Sequence, residues 1–130
     1  MEDVLYLSKE SVTPRDVIEI AKQFGYTCRD TGETCDNVWA SRYVRVIPAR
    51  GAYWDFVDYQ ATPDFQCLGA KDLQEIKQFS PGTVLIVTHP YDTRLALAKF
   101  IRRLIERRGG GVVRDGNFDH IDDLSNLGPA

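Results

Sequence analysis

His89 and His120 are the chain's two histidines. His89 follows the apolar run Val84–Val87 and sits where a strand should meet a helix, a place where residues often line sites. With Tyr91 and Asp92 beside it, His89 is the one candidate general base, which would make the protein a small hydrolase. These three are neighbours in sequence only, and nothing requires their side chains to converge. The favoured reading is structural: Thr88 or His89 caps a helix, Pro90 opens it, and Asp92 faces its positive end.

Metal and nucleotide chemistry fare no better. Asp115, Asn117 and Asp119 open like a D-x-N-x-D calcium loop, whose alternate oxygens surround a hard cation. The match then fails, because His120 stands where the loop needs Gly and Asn126 where it needs a bidentate Glu. A turn with a solvated acidic end is favoured, and no metal is assigned. Cys28, Cys35, Cys67 and His89 supply zinc-binding atoms without a C-x2-C or H-x3-H spacing. There is no G-x-G-x-x-G, no Walker A sequence and no G-x-S-x-G. Gly109–Gly111 follows a helix, whereas a phosphate cradle precedes one. No cofactor is expected.

Two stretches read as binding surfaces. Tyr53–Tyr59 packs four aromatics and two acids into seven residues. Alternation sends about half of them away from any one core face. Tyr53, Trp54, Asp55, Asp58 and Tyr59 therefore form the candidate partner-binding set, with Asp30, Glu33 and Asp36 nearby, since large rigid rings contribute much contact area. The competing reading is that these rings fill the core. The segment 92–108 carries Arg94, Lys99, Arg102, Arg103, Arg107 and Arg108 against Asp92 and Glu106. It offers a weak RNA-binding alternative. A solvated face paired with the protein's own acids, including Asp115, Asp119, Asp122 and Asp123, is favoured.

Those residues need elements to position them. Val4–Leu7 reads as a first strand. Thr13, Pro14 and Asp16 mark a helix start, Val17, Ile18, Ala21 and Phe24 follow helical spacing, and Gly25 ends it. Tyr26–Asp30, the stretch from Asn37, and Tyr53–Tyr59 read as strands, with a turn at Pro48–Gly51. Leu73, Ile76 and Phe79 share one face of a short helix that Pro81-Gly82 terminates. Thr83–Thr88 is an interior strand, the long helix runs to about Arg108, and Val112 and Val113 add an edge strand. The expected order is β-α-β-β-β-α-β-α-β. The fold class is α+β: a mostly antiparallel sheet of five to six strands with two to three helices packed on one face, of which a ferredoxin-like sandwich is one version. Residues 1–114 form a single domain and 115–130 an acidic, partly ordered C-terminal tail.

The chain has 130 residues, 43% hydrophobic and 27% charged, with net charge −3. That is one ordinary globular domain. The acidic balance repels phosphate backbones on average, so nucleic acid is disfavoured as a partner. No apolar run approaches the roughly 20 residues of a membrane span. The acidic start Met1-Glu2-Asp3 is unlike a signal peptide, and three cysteines suit a reducing compartment. A Cys28–Cys35 bridge is geometrically conceivable, though unbridged thiols are favoured. The expected location is the cytoplasm, without a membrane partner. Oligomeric state is undetermined.

Phe100–Val113 reads F-I-R-R-L-I-E-R-R-G-G-G-V-V and is followed by Asp115 and Gly116. It resembles the C-terminal pattern of many small bacterial proteins in which a helix runs into G-G-x-V and then acidic residues, some of them encoded beside secreted toxins. A small acidic domain without catalytic motifs is similar to bacterial toxin-immunity proteins. The resemblance implies a non-catalytic domain that binds and neutralises a toxin, the acidic balance would suit a basic toxin domain, and the resemblance transfers no active-site residue.

Overall fold

A computed structural model of the chain describes residues 2–30, 43–58, 70–114 and 117–119. Their elements run β1 (Glu2–Ser8), α1 (Pro14–Gln23), β2 (Thr27–Asp30), β3 (Tyr43–Ala49), β4 (Ala52–Asp58), α2 (Ala70–Phe79), β5 (Thr83–His89), α3 (Arg94–Arg108), β6 (Gly111–Arg114) and β7 (Asn117–Asp119). A single 3-10 turn, Tyr91–Thr93, leads into α3. The strands form one seven-stranded sheet in the order β2-β3-β4-β5-β1-β6-β7, and every pairing is antiparallel. The fold class is α+β. The order differs from a ferredoxin-like sandwich, because β1 lies between β5 and β6 rather than in a four-stranded core. No helix among the described residues is long and apolar enough to cross a membrane.

The helices occupy both faces of the sheet rather than the single face expected. The central strands dictate this. In β5, Leu85 and Val87 point to one side and Val84 and Ile86 to the other, and all four are buried. A strand that is apolar on both faces needs a cover on each. On one side α1 and α3 lie together over β1, β3, β4, β5 and β6, and Phe100 gathers the rings of Phe24, Tyr26, Trp54 and Phe56 at 5.4–6.4 Å between centroids. On the other side Ile76 and Phe79 of α2 close over Leu5, Leu7, Val84, Ile86 and Val113. Leu73, assigned by spacing to the same helix face, is exposed.

The start of α1 follows its sequence signals. The Asp16 N–H donates to Thr13 Oγ1 at 3.4 Å, and the Thr13 N–H donates to Asp16 Oδ2 at 2.9 Å, closing a reciprocal capping box with Pro14 at the first helical position. At the entry to α3 the expected caps are absent: Thr88 Oγ1 donates to Asp3 on the neighbouring strand, and Thr93 Oγ1 donates back to Pro90 O at 2.8 Å. Nor is β6 an edge strand, since β7 pairs with it. The backbone of Asn117–Asp119 is extended in that pairing, not wrapped in a calcium-loop turn.

The glycine run after α3 builds a helix-to-strand turn. Gly109 and Gly110 have φ of 71° and 92°. A Cβ on Gly110 would stand 1.8 Å from the backbone oxygen of Leu7, so β1 passes directly against this turn. Tyr6 and Ser8 of β1 then satisfy the last helical carbonyls, donating to Gly109 O and Arg108 O, each at 2.7 Å. Two substitutions separate strain from clash. Gly25 has φ 74° with open space around it, so Gly25→Ala should cost about 1–2 kcal/mol. Gly110→Ala adds the clash with Leu7 and should cost about 3–5 kcal/mol. Urea unfolding midpoints at constant m check this, and equal losses would refute the close approach.

Candidate functional site

Among the described residues, the sheet's two faces are not covered alike. α2 covers β1, β5 and β6, while on β2, β3 and β4 the same face keeps Arg45, Ile47, Tyr53, Asp55 and Val57 half-buried and Arg29 exposed. Register brings these residues together. Arg29 stands opposite Arg45, Arg45 opposite Asp55, Asp55 opposite Thr88, and Thr88 opposite Asp3. One polar row thus crosses five strands. The next row on that face, through Val57, Ile86, Leu5 and Val113, is apolar.

A bulge sets this register. Between Val46 and Ala49 the β3–β4 ladder shifts, so that Ile47 and Pro48 together oppose Tyr53. Pro48 has no N–H to give to a ladder, and an interior strand admits proline at such an irregularity. The bulge places Arg45 opposite Asp55, ten residues away. Arg45 donates from Nε to Asp55 Oδ1 at 2.8 Å and from a terminal nitrogen to Oδ2 at 3.1 Å, a two-pronged pairing that fixes both groups. The same guanidinium lies 3.9 Å over the Tyr53 ring. A shallow concavity of about 280 Å³ opens beside it, lined by Arg29, Arg45, Ile47, Gly51, Ala52 and Tyr53.

The sequence candidates distribute as follows. Of the Tyr53–Tyr59 set, Tyr53 and Asp55 share the open face. Trp54 does not belong to any surface: it is 0% exposed in the core, and its Nε1 donates to Thr93 Oγ1 at 3.0 Å. Asp58, half-buried, alternates with Asp55 toward the α1–α3 side. Tyr59, Glu33 and Asp36 lie outside the described residues, as do Cys35, Cys67, Asp115, His120, Asp122 and Asp123, and for Asp30, Asn117 and Asp119 only the backbone is described. Cys28 is half-buried against the core.

His89, Tyr91 and Asp92 sit at different depths. His89 is 1% exposed, whereas Tyr91 is 57% exposed with the Arg94 guanidinium 5.3 Å over its ring, and Asp92 is exposed. His89 Nδ1 is 3.0 Å from Pro90 O. A carbonyl only accepts, so this contact is a hydrogen bond in the forms of the ring that carry a hydrogen at Nδ1. Among the described residues no cluster of three or more His, Cys, Asp or Glu is arranged to hold a metal.

The arginines at the end of α3 have a different task. Arg107 Nε and an Arg108 terminal nitrogen each donate to Asp16 Oδ1 at 3.0 Å, Arg107 also pairs with Glu19, and Arg108 lies 3.7 Å from Glu10. The acids that answer these arginines are thus on and just before α1. Burial alone would push the Asp16 carboxyl up. The Arg108 hydrogen bond and charge, with the bonds from Thr13, outweigh it and hold the group below the usual carboxylate range. Burial also pushes the Tyr6 phenol far up, so it stays a neutral donor to Gly109. Sequence reasoning assigned Asp16 only to the helix dipole, and it missed Arg29 and Arg45. The signal for Arg45 was an opposite charge, Asp55, on the far side of a turn, and the bulge is what brings the two into register.

No family model, curated protein or solved structure matches this chain.

The Asp16 cluster makes a pH prediction. Its folded pKa is depressed, so its contribution is present above the unfolded value of about 3.9 and lost as pH falls through the folded one. Arg108→Gln removes the depressing partner and leaves the burial, so the acid fall in stability should move to higher pH. Asp16→Ala should flatten it. Both arginines reach solvent, at 32% and 35% side-chain exposure. The neutral-pH cost of Asp16→Ala is therefore mainly the lost cap, about 1–2 kcal/mol, and not the roughly 3–5 kcal/mol of a stranded buried charge. Urea midpoints across the acid range check both.

Proposed function

We propose that the chain is a non-catalytic protein-binding domain and, more narrowly, a bacterial immunity-type protein that binds and neutralises a toxin. The observation that carries the binding reading is the uneven cover of the sheet among the described residues. The half formed by β2, β3 and β4 presents Arg29, Arg45, Ile47, Tyr53 and Asp55 in fixed register, with Arg45 held from both sides by Asp55 and Tyr53. Arginine and tyrosine on a rigid strand surface are the residue types that anchor protein interfaces. The candidate catalytic groups are split between core and surface, which gives the hydrolase alternative less support than the binding reading.

The narrower reading rests on the resemblance of Phe100–Val113 and on the net charge of −3. In this chain Phe100, Ile101, Leu104 and Ile105 are core residues and the glycines form the turn against β1. Their burial supports a contact surface elsewhere, on β2–β4. An acidic protein suits a partner that is basic in its overall balance.

A photo-crosslinking amino acid placed at Tyr53 should give one stoichiometric protein adduct in the native host, while the same group at the exposed Arg102 on α3 should give none. Expression of the captured partner alone should arrest growth. Co-expression of this chain should restore growth, and Tyr53→Ala combined with Arg45→Glu should reduce the rescue at least tenfold. No adduct at position 53, or an adduct only at 102, would overturn the surface assignment. A captured partner whose expression is harmless would overturn the toxin reading.

A further inference from the structure

The polar row ends in a pairing the fold does not explain. Arg29 and Arg45 stand directly opposite one another across β2 and β3, and like charges in that position destabilise a sheet. Asp55 neutralises Arg45 through two hydrogen bonds. Arg29 is exposed and enters no ion pair among the described residues. Beside both guanidiniums lies the 280 Å³ concavity, whose remaining wall is Ile47, Gly51, Ala52 and Tyr53.

We propose that this concavity receives a carboxylate side chain from an extended segment of the protein partner, with Arg29 as its charge partner and Ile47 and Tyr53 as its apolar wall. The proposal rests on the protein-binding reading and deepens it by naming the chemistry of the contact. Arg45 is answered by Asp55, and Arg29 enters no ion pair among the described residues, so Arg29 is the charge offered at the rim. One guanidinium matches a monoanionic carboxylate and falls short of a phosphate dianion. Guanidinium and carboxylate also match in planar, two-pronged geometry. The walls beyond the charge are apolar, which suits the aliphatic stem of an Asp or Glu and the backbone next to it. The volume holds a side chain and is small for a larger ligand. A polyanion such as RNA meets a chain whose net charge is −3. A partner that is basic overall can still supply one such carboxylate, and the seat would convert an internal repulsion into a specific recognition point.

The test uses the full chain, labelled at its arginine side chains and Tyr53 ring for NMR, and two capped pentapeptides: Thr-Val-Glu-Val-Thr and its Gln counterpart. At low ionic strength the Glu peptide should shift the Arg29 Nε–H and the Tyr53 ring signals, and the Gln peptide should bind at least tenfold more weakly. Arg29→Gln should erase the difference between the peptides while leaving the urea midpoint unchanged or higher, because it relieves the repulsion with Arg45. Equal binding of the two peptides, shifts centred on Arg102 and Arg103, no binding by either, or displacement of the Glu peptide by a ten-residue oligothymidylate would each overturn the proposal. Should the peptides fail while the Tyr53 crosslink still captures its partner, the carboxylate seat alone falls. Should the crosslink fail as well, the binding surface falls with it.

Discussion

The carboxylate of Asp16 joins the two halves of the helical layer. It closes the capping box that starts α1, and its other oxygen takes hydrogen bonds from both arginines that end α3. One buried acid thus sets where one helix begins and where the other stops. The electrostatics favour this, because the negative charge lies at the positive end of α1 and the arginines lie at the negative end of α3. β1 completes the joint: Tyr6 and Ser8 take the last carbonyls of α3, and Gly110 lets the chain pass against Leu7 before it returns as β6. Moving any of these groups would shift α3, and with it the ring of Phe100 on which four other aromatics converge.

That joint also accounts for the basic character of the long helix. Six cations against two acids look like a nucleic-acid surface when the helix is read alone. In the fold the last two arginines face Asp16, Glu19 and Glu10. Their charge is spent within the protein, largely on the packing of α1 against α3. Arg103, further up the helix, lies 3.8 Å from Glu106 at an exposed position, where such a pair contributes little.

Local signals in the sequence were sound where physics is local. The Thr13-Pro14-Asp16 start, the stop at Gly25, the apolar β5 and the glycine turn at 109–111 all reflect interactions within a few residues. What escaped reading depends on partners far along the chain. Leu85 and Ile86 look alike in a one-dimensional pattern, yet they face different layers, and that two-sidedness is what places α2 opposite α1 and α3. Trp54 was legible as either core or surface, and only the position of Phe100 and Thr93 decides it. Arg45 and Asp55 were legible in type but not in pairing. A four-residue turn at Pro48–Gly51 would set Arg45 against Trp54. The ladder instead closes at Ala49 and Ala52, a register that unbroken would set Arg45 against Phe56; the bulge at Ile47-Pro48 shifts it by one to Asp55, and a shift of one exchanges the faces.

The same alternation explains how the β2–β4 half-face would serve the recognition proposed for it. Arg45, Tyr53 and Asp55 project from strands whose opposite side carries Val44, Val46, Trp54 and Phe56, all fully or almost fully buried under α1 and α3. A surface residue is only as well placed as the element that holds it. Here the backbone beneath it is clamped by the densest aromatic packing in the protein, and the guanidinium of Arg45 is fixed again by Asp55 and Tyr53. A partner meeting this face would find its anchors already ordered, and the side-chain entropy that an interface normally costs, about 0.5–1.5 kcal/mol per immobilised side chain, would be smaller there. Arg29 is the exception, exposed at the end of the row. Its ordering would have to come from the contact itself, which makes it the position where binding and free states should differ most.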